Sequence, residues 1–343
     1  MRILLTADPA IPVPPSGYGG IERIVDALAR EYRHLGHAVG LAAHPKSTCA
    51  VDSFFPWRGD SALRNTAALF SAVRKFRPDV VHSFSRLAYL YPLVPGSVPK
   101  VMSYQRHVGG PQIRWAARLG GRSMRFTGCS EFIARMGRAH GGEWTPVPNF
   151  VETDKIRFEP SVPADAPLLF LSRIESIKGA DLAIEIAKAS GRRLVLAGNK
   201  SASGPERDYF ENAILPNIGK DRIEYVGEVN DSQKNVLLGQ AAALLVPIRW
   251  DEPFGIVFAE ALAAGTPVIT CARGAAPEIV DPGVTGFFVT GAEDGTAAVG
   301  QLGRIQRSAC RASAEARFSR PICAAQYLEL YASMGARGHT ARV

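Results

Sequence analysis

Apolar runs long enough to cross a bilayer are missing from these 343 residues; no stretch approaches the ~18 apolar residues a spanning helix needs. The N-terminal sequence Met1-Arg2-Ile3-Leu4-Leu5-Thr6-Ala7-Asp8-Pro9 has too short an apolar region for a signal peptide, so the expected location is the cytosol. Cysteine is scarce. The five, at 49, 129, 271, 310 and 323, are odd in number, widely spaced and without Cys-x-x-Cys or paired-histidine spacing, which argues against a disulfide framework and a structural zinc. Charged residues make up only 21% and mean hydropathy is near zero, which excludes a disordered tail protein. Recognition-helix and aromatic RNA-binding patterns are also lacking, so nucleic acid is the weakest reading of the net charge of +8. Anionic lipid and a phosphate-holding site remain. Arg and Lys are scattered, with modest clusters at Arg114, Arg118, Arg122, Arg125 and at Arg304, Arg307, Arg311.

What is present is apolar material for two cores: 46% of a chain too long for one ordinary domain. Short apolar runs rich in β-branched residues alternate with helical patterns, the signature of βαβ units and a mainly parallel sheet. Residues 2–7 predict a strand, 8–20 a Pro/Gly-rich loop, and Ile21, Ile24, Val25, Leu28, Tyr32 and Leu35 one helical face ending at Gly36. Further strands are expected at 37–43, 79–84, 100–104 and 125–129. Residues 146–167, rich in Pro and charge without a clear period, suit an interdomain connection. The pattern restarts with strands expected at 168–172, 193–197, 223–226, 243–247, 267–271 and 286–289. A closing helix with Phe318, Ile322, Ala325, Tyr327, Leu328 and Tyr331 is expected to pack back on the first domain, and 335–343 to fray.

Three segments carry chemistry. In Ser16-Gly17-Tyr18-Gly19-Gly20, glycines let the backbone approach a ligand and the helix behind offers free N–H groups to an anion. The run is not Gly-x-Gly-x-x-Gly and has no clear acidic ribose partner, so it fails as a dinucleotide fingerprint; a plain glycine-rich turn is the competing reading. Arg173 and Lys178 follow the first strand of the second half, where a doubly wound sheet places its ligand crevice, and could hold a diphosphate or merely decorate a solvated loop.

The third segment, from Arg249 to Gly265, is the most specific. From Phe254 onward it reads as a helix apolar around its whole circumference, hence buried, with Glu260 as its only charge. A buried lone carboxylate needs a partner, either sugar hydroxyls or a structural ion pair. Glu252 lies just before this helix at the crevice edge; its competing role is to complement the helix dipole.

Taken together, Glu252-x7-Glu260, Arg173-x4-Lys178, the strand end Ala197-Gly198, Gly265-Thr266-Pro267-Val268-Ile269 and Gly274-Ala275-Ala276-Pro277-Glu278-Ile279-Val280 resemble the family 4 retaining glycosyltransferases of the GT-B fold. Gly17-Tyr18-Gly19-Gly20-Ile21-Glu22-Arg23 is similar to that family's opening segment, so the likeness covers nearly the whole chain. It implies two Rossmann-like domains with mainly parallel sheets facing across a cleft. Residues 1–155, with a C-terminal helix at about 320–335, would form the acceptor side and 156–319 the nucleotide-sugar side.

By the same resemblance, Arg173 and Lys178 hold the donor diphosphate, Glu252 contacts the donor sugar and Glu260 holds the ribose hydroxyls. Backbone N–H groups around Phe254, Gly255 and Ile256 complete the cradle, and the Gly19-Gly20 loop closes over the phosphates. Neither metal nor cofactor is implied, since the nucleotide-diphosphate sugar is itself a substrate; the partner is a hydroxyl acceptor, with anionic inner-leaflet lipid as a further contact that the basic charge would suit. Many relatives place a histidine after the strand at 100–104; here that position holds Gln105 or Arg106, leaving His107 to reach the sugar or to stay a solvated loop residue. His82, at another strand end, faces either the acceptor or the core. A glycoside hydrolase built on Glu252 and Glu260 gives no role to Arg173 and Lys178. A sugar-nucleotide epimerase lacks an identifiable acid and base, and a non-catalytic scaffold would not need all four site residues.

Overall fold

The computed structural model describes residues 1–15, 17 and 19–336. Contacts divide them into two α/β units, one of Met1–Phe150 with the described residues from Arg320 onward, the other of Val151–Ser319.

The first unit holds strands β1 (Arg2–Thr6), β2 (Ala38–Ala43), β3 (Ser53–Pro56), β4 (Val80–Ser83), β5 (Lys100–Tyr104), β6 (Met124–Gly128) and β7 (Trp144–Pro146). All pair in parallel, in the order β3-β2-β1-β4-β5-β6-β7. Its helices are α1 (Gly20–His34), α2 (Ala62–Phe76), α3 (Leu87–Leu90), α4 (Gln112–Gly120) and α5 (Glu131–Arg138). The second unit holds β8 (Leu168–Leu171), β9 (Leu194–Ala197), β10 (Ile223–Gly227), β11 (Ala243–Val246), β12 (Val268–Thr270) and β13 (Gly286–Phe288), parallel in the order β10-β9-β8-β11-β12-β13. Around this sheet lie α6 (Ala180–Ala189), α7 (Pro205–Tyr209), α8 (Asp231–Gln240), α9 (Ile256–Ala264), α10 (Ala276–Ile279), α11 (Ala292–Gly300) and α12 (Arg307–Phe318). The last helix, α13 (Arg320–Ser333), belongs to the first unit.

Every strand expected from the sequence is found, within about a residue at each end; most are buried apolar runs between two helical layers, while β10, at the sheet edge, alternates buried and exposed positions. Two strands were not expected. β3 is a four-residue edge strand with alternating exposure, and β7 spans three residues ending in proline. Both lie at the margins of the sheet, where little burial is needed and proline is tolerated.

Right-handed crossovers put α2, α3, α4 and α5, whose connections all run toward β7, on one face of the first sheet, and α1 on the other, where α13 joins it. The α1 face buries Ile24, Val25, Leu28 and Tyr32 as expected, but Leu35 is 49% exposed because the helix ends at His34. The stripe that α13 buries is Cys323, Ala324, Tyr327, Leu330 and Tyr331. Ile322 and Ala325 point outward, and Phe318 ends a separate helix in the second unit. Polar contacts help fasten α13: Tyr331 Oη lies 3.1 Å from Tyr32 Oη, and Arg320 Nε donates to Glu31 Oε2 at 2.8 Å. Of the tail expected to fray, residues 337–343 lie outside the described residues.

Candidate functional site

In the second unit the segment after β8 lies directly on the segment after β11. Gly179 makes this approach: its φ is 76°, and a Cβ there would fall 2.1 Å from the Pro247 carbonyl oxygen. Lys178, one residue earlier, is buried and extends its Nζ to 2.6 Å from Glu252 Oε2. The same ammonium sits 4.5 Å from the centre of the Trp250 ring, and Trp250 Nε1 donates to the same carboxylate oxygen at 2.9 Å. Glu252 is thus clamped through one oxygen by two donors. Its Oε1 is bonded to no described residue.

Glu260 repeats the arrangement. Its Oε1 lies 2.5 Å from Lys234 Nζ of α8, which also reaches Asp231 Oδ1 at 3.2 Å, and its Oε2 has no partner among the described residues. Burial opposes the Lys234 charge, but Glu260 and Asp231 beside it together outweigh that and hold the ammonium above its usual range. Of the two partners open to Glu260 from sequence, the ion pair is therefore present, with one carboxylate oxygen to spare. The helix that carries it is not buried all round. Ile256, Val257 and Glu260 form a half-exposed strip on α9, while Phe258, Ala259 and Ala261–Ala264 are buried.

The start of α9 is shaped by two glycines. Gly255, at φ 90°, caps the helix in the left-handed conformation, and among the described residues nothing accepts from the N–H groups of Gly255, Ile256 or Val257. These point where an anion is favoured by the helix dipole. Gly274 passes against the backbone of Glu252, where a Cβ would meet its N and O at 2.3 Å, and Ala275 N donates to Glu252 O at 2.8 Å. The Gly274-Ala275-Ala276-Pro277 run thereby holds Glu252 in place. Phe254 anchors the turn from below, edge-to-face with Phe318 at 5.7 Å.

Arg173, two residues past β8, stands apart from this knot. Its side chain is 45% exposed and pairs with Glu175 at 2.5 Å. Beside it, Gly198 at the end of β9 must be a glycine, since a Cβ at φ 140° would fall 1.8 Å from Ser172 O.

In the first unit Gly19, at φ 153°, is pressed against Pro15 and caps α1, which begins at Gly20; Ser16 and Tyr18 of that loop lie outside the described residues. Glu22, in the first turn of α1, is buried and its carboxyl is pushed up chiefly by that burial. His107 is exposed, with its ring edge-to-face to Phe132 at 5.9 Å. The Gln105 amide is buried with no hydrogen-bond partner for either its N or its O.

His82 does not face a ligand. It is fully buried, with Nδ1 2.5 Å from Tyr331 Oη and Nε2 2.6 Å from Ser103 Oγ, so both ring nitrogens are satisfied within the core. Of its two sequence readings, the core histidine is the one observed.

Two site residues escaped sequence reasoning. Trp250 carried a usable signal, being two residues from Glu252 and next to Arg249. Lys234 carried none: it lies 26 residues from Glu260 on an amphipathically featureless helix, and only the packing of α8 on α9 brings the two together.

Comparison with known proteins gives a consistent picture. Residues 152–308 match the family model described as Glycosyl transferases group 1, and residues 18–155 that described as Glycosyltransferase Family 4. An uncharacterised glycosyltransferase of Methanocaldococcus jannaschii is 33% identical over 143 residues, 40% of this chain and 35% of that protein. The D-inositol 3-phosphate glycosyltransferase of Mycolicibacterium smegmatis is 33% identical over 137 residues, 39% of this chain and 31% of its own length. The chain thus spans about a third of the length of the curated relatives it matches. Among solved structures, AviGT4, a glycosyltransferase involved in avilamycin A biosynthesis, superposes with a TM-score of 0.70 at 26% identity over 98% of both chains.

Proposed function

We propose, for a chain that belongs to glycosyltransferase family 4 and carries a group 1 glycosyl transferase domain, that it moves a sugar from a nucleotide-diphosphate donor to a hydroxyl acceptor in glycan or glycoconjugate synthesis. Transfer retains anomeric configuration and uses no metal or other cofactor. The observation that carries this reading is the pair of half-satisfied glutamates: Glu252 and Glu260 each give one oxygen to a lysine and keep the other unbonded. A carboxylate held this way is a fixed hydroxyl acceptor, and a sugar nucleotide offers hydroxyls on both its sugar and its ribose.

In this scheme Glu252 Oε1 receives a hydroxyl of the donor sugar and Glu260 Oε2 a ribose hydroxyl. The N–H groups of Gly255 and Ile256, next to Phe254, take phosphate oxygens, and Arg173 and Lys178 neutralise the diphosphate as it leaves. The acceptor oxygen bonds to the anomeric carbon, the bond from that carbon to the diphosphate oxygen breaks, and the hydroxyl proton passes to the departing phosphate on the same face. Lys178 already shares its charge with Glu252, so the developing charge on the leaving group draws on an ammonium held in place beforehand. Gly19 and Gly20 at the start of α1 offer the first unit's own anion-favouring N–H groups, and His107 is its exposed candidate for the sugar. The site of action is the cytosol.

A thermal-shift panel with UDP, GDP, ADP and their sugar conjugates tests this. One diphosphate should raise the melting temperature by mass action, and Arg173→Ala should abolish that rise. Glu252→Ala should leave the shift while removing turnover. No shift with any nucleotide would overturn the reading.

A further inference from the structure

The positive charge of this protein is gathered in one place. Residues 61–130 contain eleven Lys and Arg against the single carboxylate of Asp79, so the remaining residues carry a net charge of −2 although the chain as a whole is +8. The apparent scatter of cations along the sequence is therefore a segregation. Of the eleven, Arg64, Arg74 and Lys75 stand on α2, Arg114 and Arg118 on α4 and Arg122 in the turn after it, whereas Lys100 is buried in β5 and Arg86 and Arg125 pair with Asp8 and Glu143; α2, α3 and α4 lie together on the sheet face opposite α1 and α13.

That face also exposes large apolar side chains. On α4, Trp115 is 43% and Leu119 48% exposed, one helical turn apart, and Tyr91 packs edge-to-face on Trp115 at 4.9 Å while itself 36% exposed. On α2, Leu63 is 84% and Phe70 42% exposed. Arg114, Arg118 and Arg122 run beside Trp115 and Leu119 at four-residue spacing, and among the described residues none of the three forms an ion pair. The buried side of α4 is Ile113, Ala116 and Gly120, so the helix has a complete inner face and an outer face that is exposed among the described residues.

We propose that this face docks on an anionic lipid surface. Two features together select that occupant. Unpaired arginines without intervening carboxylates complement a negatively charged surface, each adding affinity that salt screens. Exposed tryptophan, leucine and tyrosine between them all gain by entering the headgroup boundary, whereas a duplex backbone rewards charge alone and unpaired bases would stack on the aromatics but give no role to Leu119 and Leu63. The arginine stems can lie along the apolar strip with their guanidinium groups at the phosphate level. Docking here would bring the whole chain to a membrane that none of its described helices is long and apolar enough to cross.

Co-sedimentation of the full chain with phosphatidylcholine vesicles, with and without phosphatidylglycerol, tests the proposal. Binding should require phosphatidylglycerol and fall about a hundred-fold in Arg114→Gln/Arg118→Gln/Arg122→Gln. Trp115→Ser/Leu119→Ser should lower it about ten-fold. Bromine-labelled lipid should quench the tryptophan fluorescence of the wild type and quench that of Trp115→Phe, which keeps only Trp57, Trp144 and Trp250, much less; equal quenching of the two would overturn the placement of Trp115 in the headgroup boundary. All the substituted side chains are exposed, and unchanged melting temperatures would exclude misfolding as the cause of lost binding. Absence of binding to phosphatidylglycerol vesicles at low salt overturns the proposal. So does equal binding to a single-stranded oligonucleotide with no effect of Trp115→Ser/Leu119→Ser, which would assign the face to polyanions. The vesicle readout needs no nucleotide, so its failure is separable from failure of the donor-site reading.

Discussion

Acid should loosen the first unit through one residue, His82. In the folded chain it is fully buried between Tyr331 of α13 and Ser103 of β5, and burial lowers its pKa from 6.5 to about 3. Its folded pKa is thus depressed, so between those two values the unfolded chain binds the proton and the folded chain does not. Stability from this group is fully present above pH 6.5, falls as the pH drops, and is lost below about 3. At about 1.4 kcal/mol per pKa unit the whole shift is worth roughly 5 kcal/mol. By pH 5 about 2 kcal/mol should be gone, a sizeable part of an ordinary domain's stability of about 5–15 kcal/mol.

The perturbation is His82→Gln, which keeps a polar side chain but cannot take up a proton. Urea unfolding at pH 7.5, 6 and 5, followed by fluorescence in a Trp250→Phe background, reports the first unit, since the other three tryptophans all lie there. Wild type should lose about 2 kcal/mol more than the variant between pH 7.5 and 5. Parallel losses in the two proteins would refute the reasoning, because they would mean that the ring is solvated or that another group supplies a compensating charge.

Two further substitutions probe the donor-side unit. Gly179→Ala must fit a Cβ 2.1 Å from the Pro247 carbonyl at φ 76°, whereas Gly191→Ala, at φ 65°, meets nothing within 4 Å. The first should cost upwards of about 3 kcal/mol and the second about 1 kcal/mol, read by denaturant midpoint; equal costs would show that backbone conformation alone matters. Lys234→Ala strips Glu260 of its partner and should destabilise by about 1–3 kcal/mol, while Lys234→Ala/Glu260→Gln should recover part of that loss. A double variant no more stable than the single would mean that the ion pair contributes packing and not charge.

Much of this architecture was legible beforehand, for physical reasons that also explain what was not. Strands buried on both faces announce themselves as apolar runs, so Leu168–Leu171 and Ala243–Val246 could be read directly. Edge strands carry no such demand, and Ser53–Pro56 escaped. The lone charge in an apolar helix marked Glu260 as needing a partner, but the identity of Lys234 depends on how two helices pack, which no local pattern encodes. His82 was ambiguous because a histidine at a strand end can turn toward solvent or core. The choice was made by Tyr331, 249 residues away. The charge segregation in residues 61–130 was visible in the sequence, yet the net charge averages it away.

The placement of α13 has a consequence for the order in which this protein matures on the ribosome. Its second unit is one unbroken stretch, Val151–Ser319, and can close its core as soon as that stretch has emerged. The first unit cannot. Its sheet, from Arg2 to Pro146, is made before the second unit, but the slot between Tyr32 and His82 stays open until Tyr327 and Tyr331 have been made after it. The first sheet therefore leaves the ribosome before the second unit yet settles after it, and a chain cut before Arg320 would hold one finished core and one still waiting for α13.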